Sequence, residues 1–246
     1  PSWDGVSDPI GDLADTVHVK SDQAEFRDYF RKWFVGILPA LLDDTVVNHE
    51  ILVLIGEQGL YKTTWFNFLL PPELRCYFYT KTNSDRLNKD DLFSLTEFAL
   101  ICFEELDGMR PAELNQLKAM VTMPYVNERA AYGRNKERHP HIASFCGTGN
   151  NVQFLTDHRR WLPFEVSQIR DPHLHAIPYE LVYSQAYALW KSGFCHWFSQ
   201  EEIRKLNMHN SRFEVPNLEE DLIRTHFRKP FEGEAGIFVT AADILE

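Results

Sequence analysis
The chain has 246 residues, is 44% hydrophobic, and sets 25 Lys and Arg against 36 Asp and Glu, for a net charge of −11. That length suits one large domain or a core with a smaller appendage, and the apolar share is enough for a sizeable core. The acidic total argues against a broadly basic nucleic-acid surface but not against a local basic lining, and no apolar run is long enough to cross a membrane. The four cysteines, Cys76, Cys102, Cys146 and Cys195, form no CxxC pair, which reads as a reduced, cytoplasmic chain. Pro1-Ser2-Trp3 is neither a signal peptide nor an initiator Met, and Val239–Glu246 reads as a capped helix cut short, so a piece of a longer protein is expected.

Residues 1–47 read as a helical lead-in, because Phe26, Phe30, Trp33, Phe34, Ile37, Leu38 and Leu41 recur at helical spacing within Gln23–Leu42. Residues 48–170 change rhythm. Short apolar runs predict strands at Ile51–Ile55, Cys76–Tyr79, Phe98–Phe103, Ile142–Cys146 and Trp161–Val166, with helices over Lys62–Leu69, Asn88–Leu95 and Pro111–Val121 between them. Strands alternating with helices imply an α/β fold around a mainly parallel, five-stranded central sheet. Residues 171–230 read as a helical lid or linker, with helices over Leu181–Lys191 and Gln200–Leu206, and residues 231–246 as the start of a truncated further domain.

The first strand runs into Gly56-Glu57-Gln58-Gly59-Leu60-Tyr61-Lys62-Thr63-Thr64 and then a helix. A phosphate-binding P-loop wants Gly, four residues, then Gly-Lys-Ser/Thr, and only Tyr61 departs from it. Such a loop cradles phosphate oxygens on backbone N–H groups, sends Lys62 to the β- and γ-phosphates and uses Thr63 to ligate Mg²⁺. The Lys62 side chain is expected to be exposed without nucleotide. The other reading is a glycine-containing strand-to-helix turn with a surface lysine. A second apolar run, Phe98–Phe103, ends at Glu104-Glu105. Two carboxylates there fit a Walker B site, with Glu104 toward the metal, Glu105 toward the attacking water and Asp107 a further candidate; an ordinary acidic turn is the alternative. A third run leads to Gly147-Thr148-Gly149-Asn150-Asn151, where Asn150, or Asn151 as the alternate, can orient water beside a γ-phosphate; by itself it is a Gly/Asn turn. Arg159 and Arg160 precede the next strand and invite an arginine-finger role, against a solvated basic pair.

Trp3-Asp4-Gly5, Arg31-Lys32-Trp33, Gly56–Thr64, Arg129 to Arg134, Gly147–Asn150 and Asp157–Trp161 occur in an order that resembles the virulence-associated protein E family, over nearly the whole chain to about Phe227. These proteins are similar to superfamily III helicases and primase-helicases of phages and mobile elements. The resemblance implies a P-loop NTPase of the AAA+ type, ATP and Mg²⁺, assembly into a ring, expected to be hexameric, and handling of single-stranded or forked DNA. Tyr61, where the family's loop has Gly, puts the turnover rate in question more than the fold. In superfamily III helicases a hairpin just before the sensor strand grips single-stranded DNA; here that place holds Arg134, Lys136, Arg138 and His139, with Asn135-Lys136-Glu137 as a turn between two extended arms. A solvated basic hairpin or a subunit contact is the competing reading. The His139/His141 and His173/His175 pairs lack the further ligands that zinc needs.

Overall fold
The structure, a computed structural model, describes all residues except 1–2, 83–88, 129–134, 156–159, 217–222, 224, 229–230, 232, 237–239 and 241–246. The chain divides into two compact units, Pro1–Glu214 and Val215–Glu246. In the first, α1 (Pro9–Ala14), β1 (Val17–Val19) and α2 (Gln23–Leu42) lead into β2 (Ile51–Ile55), α3 (Lys62–Phe68), β3 (Phe78–Lys81), α4 (Lys89–Glu97) and β4 (Leu100–Phe103). Then follow α5 (Pro111–Val121), β5 (Tyr125–Glu128), β6 (Glu137–Pro140), β7 (Ser144–Gly149), β8 (Trp161–Ile169), α6 (Tyr179–Lys191) and α7 (Gln200–Asn210).

Six strands form the central sheet in the order β1-β8-β2-β7-β4-β3. The five strands expected are there and run parallel to their neighbours. The sixth, β1, pairs antiparallel with β8 and came from the segment read as wholly helical; three residues are too few to show a two-residue alternation. Several boundaries differ from expectation: β4 opens at Leu100 rather than Phe98, β7 at Ser144 rather than Ile142, and β8 and α7 run on to Ile169 and Asn210. Cys76 and Tyr77 close a 3-10 turn rather than open a strand. Gly147–Gly149, read as a turn, are the last residues of β7.

The sheet is sandwiched. Leu52 and Leu54 of β2 face one apolar cluster, with Phe26, Phe30 and Trp33 of α2, Trp65 and Phe66 of α3, and Val182 of α6. Ile51, Val53 and Ile55 face the other, with Leu95 of α4 and Leu114 and Leu117 of α5. Both faces being covered explains why β2 is buried throughout and reads as an unbroken apolar run. Helix α2 starts where the Asp22 carboxylate accepts from the N–H of Ala24 and Glu25. Its Arg31-Lys32-Trp33 triplet is a set of ties: Arg31 to Asp8 of the α1 cap, Lys32 to Glu202 of α7 at 2.8 Å, and the Trp33 indole N–H to the Phe145 carbonyl of β7 at 2.9 Å. A separate antiparallel pair, β5 with β6, sets Asn127 opposite Arg138 and Glu128 opposite Glu137. No helix among the described residues is long and apolar enough to cross a membrane.

Candidate functional site
The C-terminal ends of β2, β7 and β4, three neighbours in the sheet, enclose a cleft of about 420 Å³. The chain leaves β2 toward α3 on one face and leaves β4 toward α5 on the other. The loops therefore part above the strand ends, which is where open α/β sheets hold their ligands. One wall is Gln58 through Thr64, the second Glu104 and Glu105, the third Thr148, Gly149 and Asn150.

The first wall is a tight strand-to-helix turn. Gly59 has φ +91° and Tyr61 φ +60°. Glycine enters that left-handed region freely, whereas a residue with a side chain loses about 1–2 kcal/mol there. Tyr61, which opens α3 without a side-chain cap, carries that penalty at the position where the motif has Gly. Lys62 departs from expectation: it is 8% exposed, and its Nζ donates to the Gly56 carbonyl at 2.6 Å and the Glu57 carbonyl at 2.8 Å. The six-residue span of the loop curls its carbonyls around the ammonium, which sequence spacing does not disclose. Burial pushes the Lys62 amine below its ordinary value, and the nearby Asp107 charge opposes this. Gly56 does not line the cleft; its N–H donates to the Gly149 carbonyl at 3.1 Å and ties β2 to β7.

The Thr63 hydroxyl donates to the Glu104 carboxylate at 2.8 Å, joining first and second walls. Glu104 also extends the sheet, its N–H donating to the Lys81 carbonyl at 2.9 Å. Glu105 is exposed at the cleft with φ +54°, which turns the chain away from β4 immediately after the strand. Asp107 points toward the third wall. Its carboxylate accepts from the N–H of Asn150 and of Asn151, each at 3.1 Å, and from the Asn151 side-chain amide at 2.8 Å. Asn151 is thereby engaged in bracing the turn, whereas Asn150 lines the cleft. A Cβ at Gly149 would stand 3.1 Å from Asp107 Oδ1, so the bracing carboxylate would have to give way slightly to a larger residue.

Two groups of expected site residues lie elsewhere. Arg160 precedes β8, and its carbonyl accepts from the N–H of Ile51 at 2.8 Å, at the start of β2. It is thus a full strand, roughly 16 Å, from the loop that follows β2. Arg159 and Arg134 lie outside the described residues. Arg138 and His139 belong to β6 and Lys136 immediately precedes it: Lys136 is exposed, the Arg138 guanidinium stacks 3.6 Å from the Tyr125 ring centre, and His139 Nε2 is 3.4 Å from Glu137. The expected arms are β5 and β6, but Glu137, expected in the turn, is the first residue of β6 and pairs opposite Glu128. Thr148 and Gly149 in the cleft were missed, as was the bracing role of Asp107; the small residues at 147 and 149, read only as a turn signal, carried that information.

A polar cleft at the carboxyl ends of adjacent parallel strands, built from a glycine loop with Lys and Thr, a pair of carboxylates and an amide, is the place where an α/β protein of this kind offers a candidate ligand site. The Virulence-associated protein E-like domain matches residues 2–215, and the chain belongs to that family. Among solved structures, the apo structure of NrS-1 C terminal region (305-718) is similar over 84% of this chain and 51% of that one, at 14% identity and TM-score 0.50. The A form apo structure of the same region is matched over 88% and 50%, at 14% identity and TM-score 0.46. At such identity the first likeness speaks to the fold alone, and this chain spans about half the length of those solved chains. No curated protein matches the chain.

Proposed function
We propose that the cleft is the ATP site of a P-loop ATPase of the AAA+ type, serving a superfamily III-like, ring-forming replication protein of a phage or mobile element. The observation that carries this is the 2.8 Å hydrogen bond between Thr63 and Glu104. It brings the last residues of the loop motif to the first carboxylate of a strand two places away in the sheet, which a chance glycine turn has no reason to do.

The residues present fit the ligand. A hydroxyl and a carboxylate in contact are the protein's usual share of a Mg²⁺ site completed by phosphate oxygens and water. Bound Mg²⁺ would neutralise charge on the terminal phosphates. Lys62, held within the loop by two carbonyls, supplies a cation to the same anion. Glu105, exposed at the mouth, accepts hydrogen bonds from the attacking water, and Asn150 orients it, its turn held by Asp107. Arg160 sits at the other end of the sheet, so its contribution to a phosphate site belongs to a neighbouring copy. Single-stranded or forked DNA is the partner we assign to the β5–β6 hairpin, where Lys136 projects into solvent on an otherwise acidic molecule. The strained Tyr61 and the internally bonded Lys62 favour a second reading, a nucleotide-binding switch that turns over slowly.

Hydrolysis of radiolabelled ATP with and without single-stranded DNA separates the two. Turnover stimulated by DNA is expected; binding without turnover selects the switch. Lys62→Ala is expected to lose ATP binding, and Glu105→Gln to bind ATP but hydrolyse it about 100-fold more slowly or worse, because an amide cannot act as a base toward water. Unchanged affinity in Lys62→Ala would remove the cleft from consideration.

A further inference from the structure
The end of the sheet opposite the cleft gathers four ionisable groups, three of which the ATPase reading leaves without a task. His49 and Glu50 come immediately before β2, His141 shortly before β7, and Arg160 immediately before β8. The backbone fixes them as neighbours. β2 and β8 start side by side, Ile51 against Trp161, with the Ile51 N–H bonded to the Arg160 carbonyl. Arg160 takes φ +73°, one of three left-handed non-glycine residues among those described; the other two, Tyr61 and Glu105, both line the cleft. Non-glycine residues hold such conformations where the surrounding structure imposes them, and they concentrate at working sites.

Glu50 is half-buried, yet its Oε2 is sealed from solvent and has no hydrogen-bond partner. Burial pushes its carboxyl up to about 7, with the Arg160 charge pulling the other way. Burial, and then the same Arg160 charge, hold the His49 imidazole below its ordinary value. The His141 Nδ1–H donates to the Met123 carbonyl, 2.7 Å away, and its Nε2 is buried and unpaired. Its imidazole is also held low, by burial first. With both histidines disfavoured as cations, Arg160 is the positive charge beside Glu50. A carboxylate shut away from water must either bind a proton or draw in a cation, because an unpaired buried charge is too unfavourable to persist.

We propose that Glu50 is a positioning residue for Arg160: ionised, it draws the guanidinium onto its own end of the sheet; protonated, it leaves the guanidinium free to reach an adjoining copy of the chain. This rests on the reading that Arg160 acts on a neighbour's nucleotide. The coupling would make turnover sensitive to pH near neutrality without any titrating group in the cleft itself.

The experiment has two arms, both on the chain as it stands. In the first, ATP turnover is followed from pH 6 to 8.5 in wild type and Glu50→Gln. Wild type is expected to lose several-fold of its rate as pH rises through about 7, and the variant, neutral throughout, to keep its rate. Superimposable profiles overturn the proposal. In the second arm, the Arg160 side-chain ¹⁵Nε resonance, assigned by its loss in Arg160→Lys, is titrated over the same range without nucleotide. It is expected to shift with a midpoint near 7 in wild type and to stay put in Glu50→Gln. A resonance that does not move in wild type, or moves equally in both, refutes the positioning role whatever the enzymology. A resonance that titrates as expected, in a protein whose turnover Arg160→Ala leaves unchanged, instead refutes the trans-acting arginine and with it the effect on rate.

Discussion
Tyr61 shows what one side chain adds to a backbone that prefers none. The turn into α3 needs a left-handed residue, and glycine would supply it freely; Tyr61 adopts φ +60° while remaining 42% exposed, so little burial offsets the strain. Tyr61→Gly is therefore expected to raise stability by about 1 kcal/mol, the lower end of the left-handed penalty, once the added freedom of the unfolded chain is counted. Chemical denaturation would measure it. A fall in midpoint would mean that the phenol ring makes contacts worth more than the strain. The same scale explains Lys62: its ammonium is held by two carbonyls of its own loop, so its burial is local and leaves it beside the cleft.

Among the elements, α7 has a task that its amphipathic pattern does not announce. Strand β1 pairs with β8 only from Val166 onward, which leaves the outer edge of β8 open near its start. Helix α7 closes it with side chains. His209 Nε2 meets the Pro163 carbonyl at 2.6 Å, and Asn210 Nδ2 donates to the Trp161 carbonyl at 2.9 Å. Pro163 suits this unpaired length of strand because it has no N–H to leave without a partner. His209 is in turn held to Glu25 of α2 at 2.9 Å, and this hydrogen bond is the chief reason the Glu25 carboxyl lies below its usual 4.5. A lowered carboxyl in the folded state contributes stability above about 4.5, and that contribution is lost as pH falls through the lower folded value. Glu25→Gln should thus lower stability by about 1.5–3 kcal/mol at pH 7, the range for a hydrogen bond to a charged group, and the deficit should vanish in acid. Thermal melts of both proteins between pH 3 and 7 would test it; a deficit constant across that range would assign the loss to packing. At the hairpin, Lys136→Ala is expected to weaken single-stranded DNA binding and reduce the log–log salt slope by about 0.7, the share of one phosphate contact. An unchanged slope would favour a subunit contact. Arg138 is a poorer probe, because its guanidinium stacks on Tyr125 and its loss would disturb the arm.

At the level of the whole molecule, the sheet separates two halves of one proposed activity. The loop and carboxylates occupy one end of the parallel strands and Arg160 the other, so no rearrangement of loops in a single copy brings them together. Mixing Lys62→Ala with Arg159→Ala/Arg160→Ala is accordingly expected to restore part of the turnover that each lacks alone, at interfaces that join an intact loop to an intact arginine. Proven co-assembly without recovery would count against action in trans. The sequence by itself determined the α/β class, the five parallel strands and the order of the chemistry along the chain. Apolar runs five residues long bounded by glycine or acid admit few other readings, and α2 lies from Gln23 to Leu42 as its spacing and Asp22 cap require. Only the tertiary structure decided which of those residues meet. Thr63 and Glu104 are 41 positions apart and Asp107 and Asn150 are 43 apart, and each pair is joined by strand order, not by spacing. It also decided that Asn151 braces while Asn150 lines the cleft, that three residues of the lead-in become a sheet edge, and that Arg160 faces away. Local pattern records which face a residue prefers to bury; the order in which strands pair depends on how two covered faces pack around one sheet, and that is a property of the whole chain.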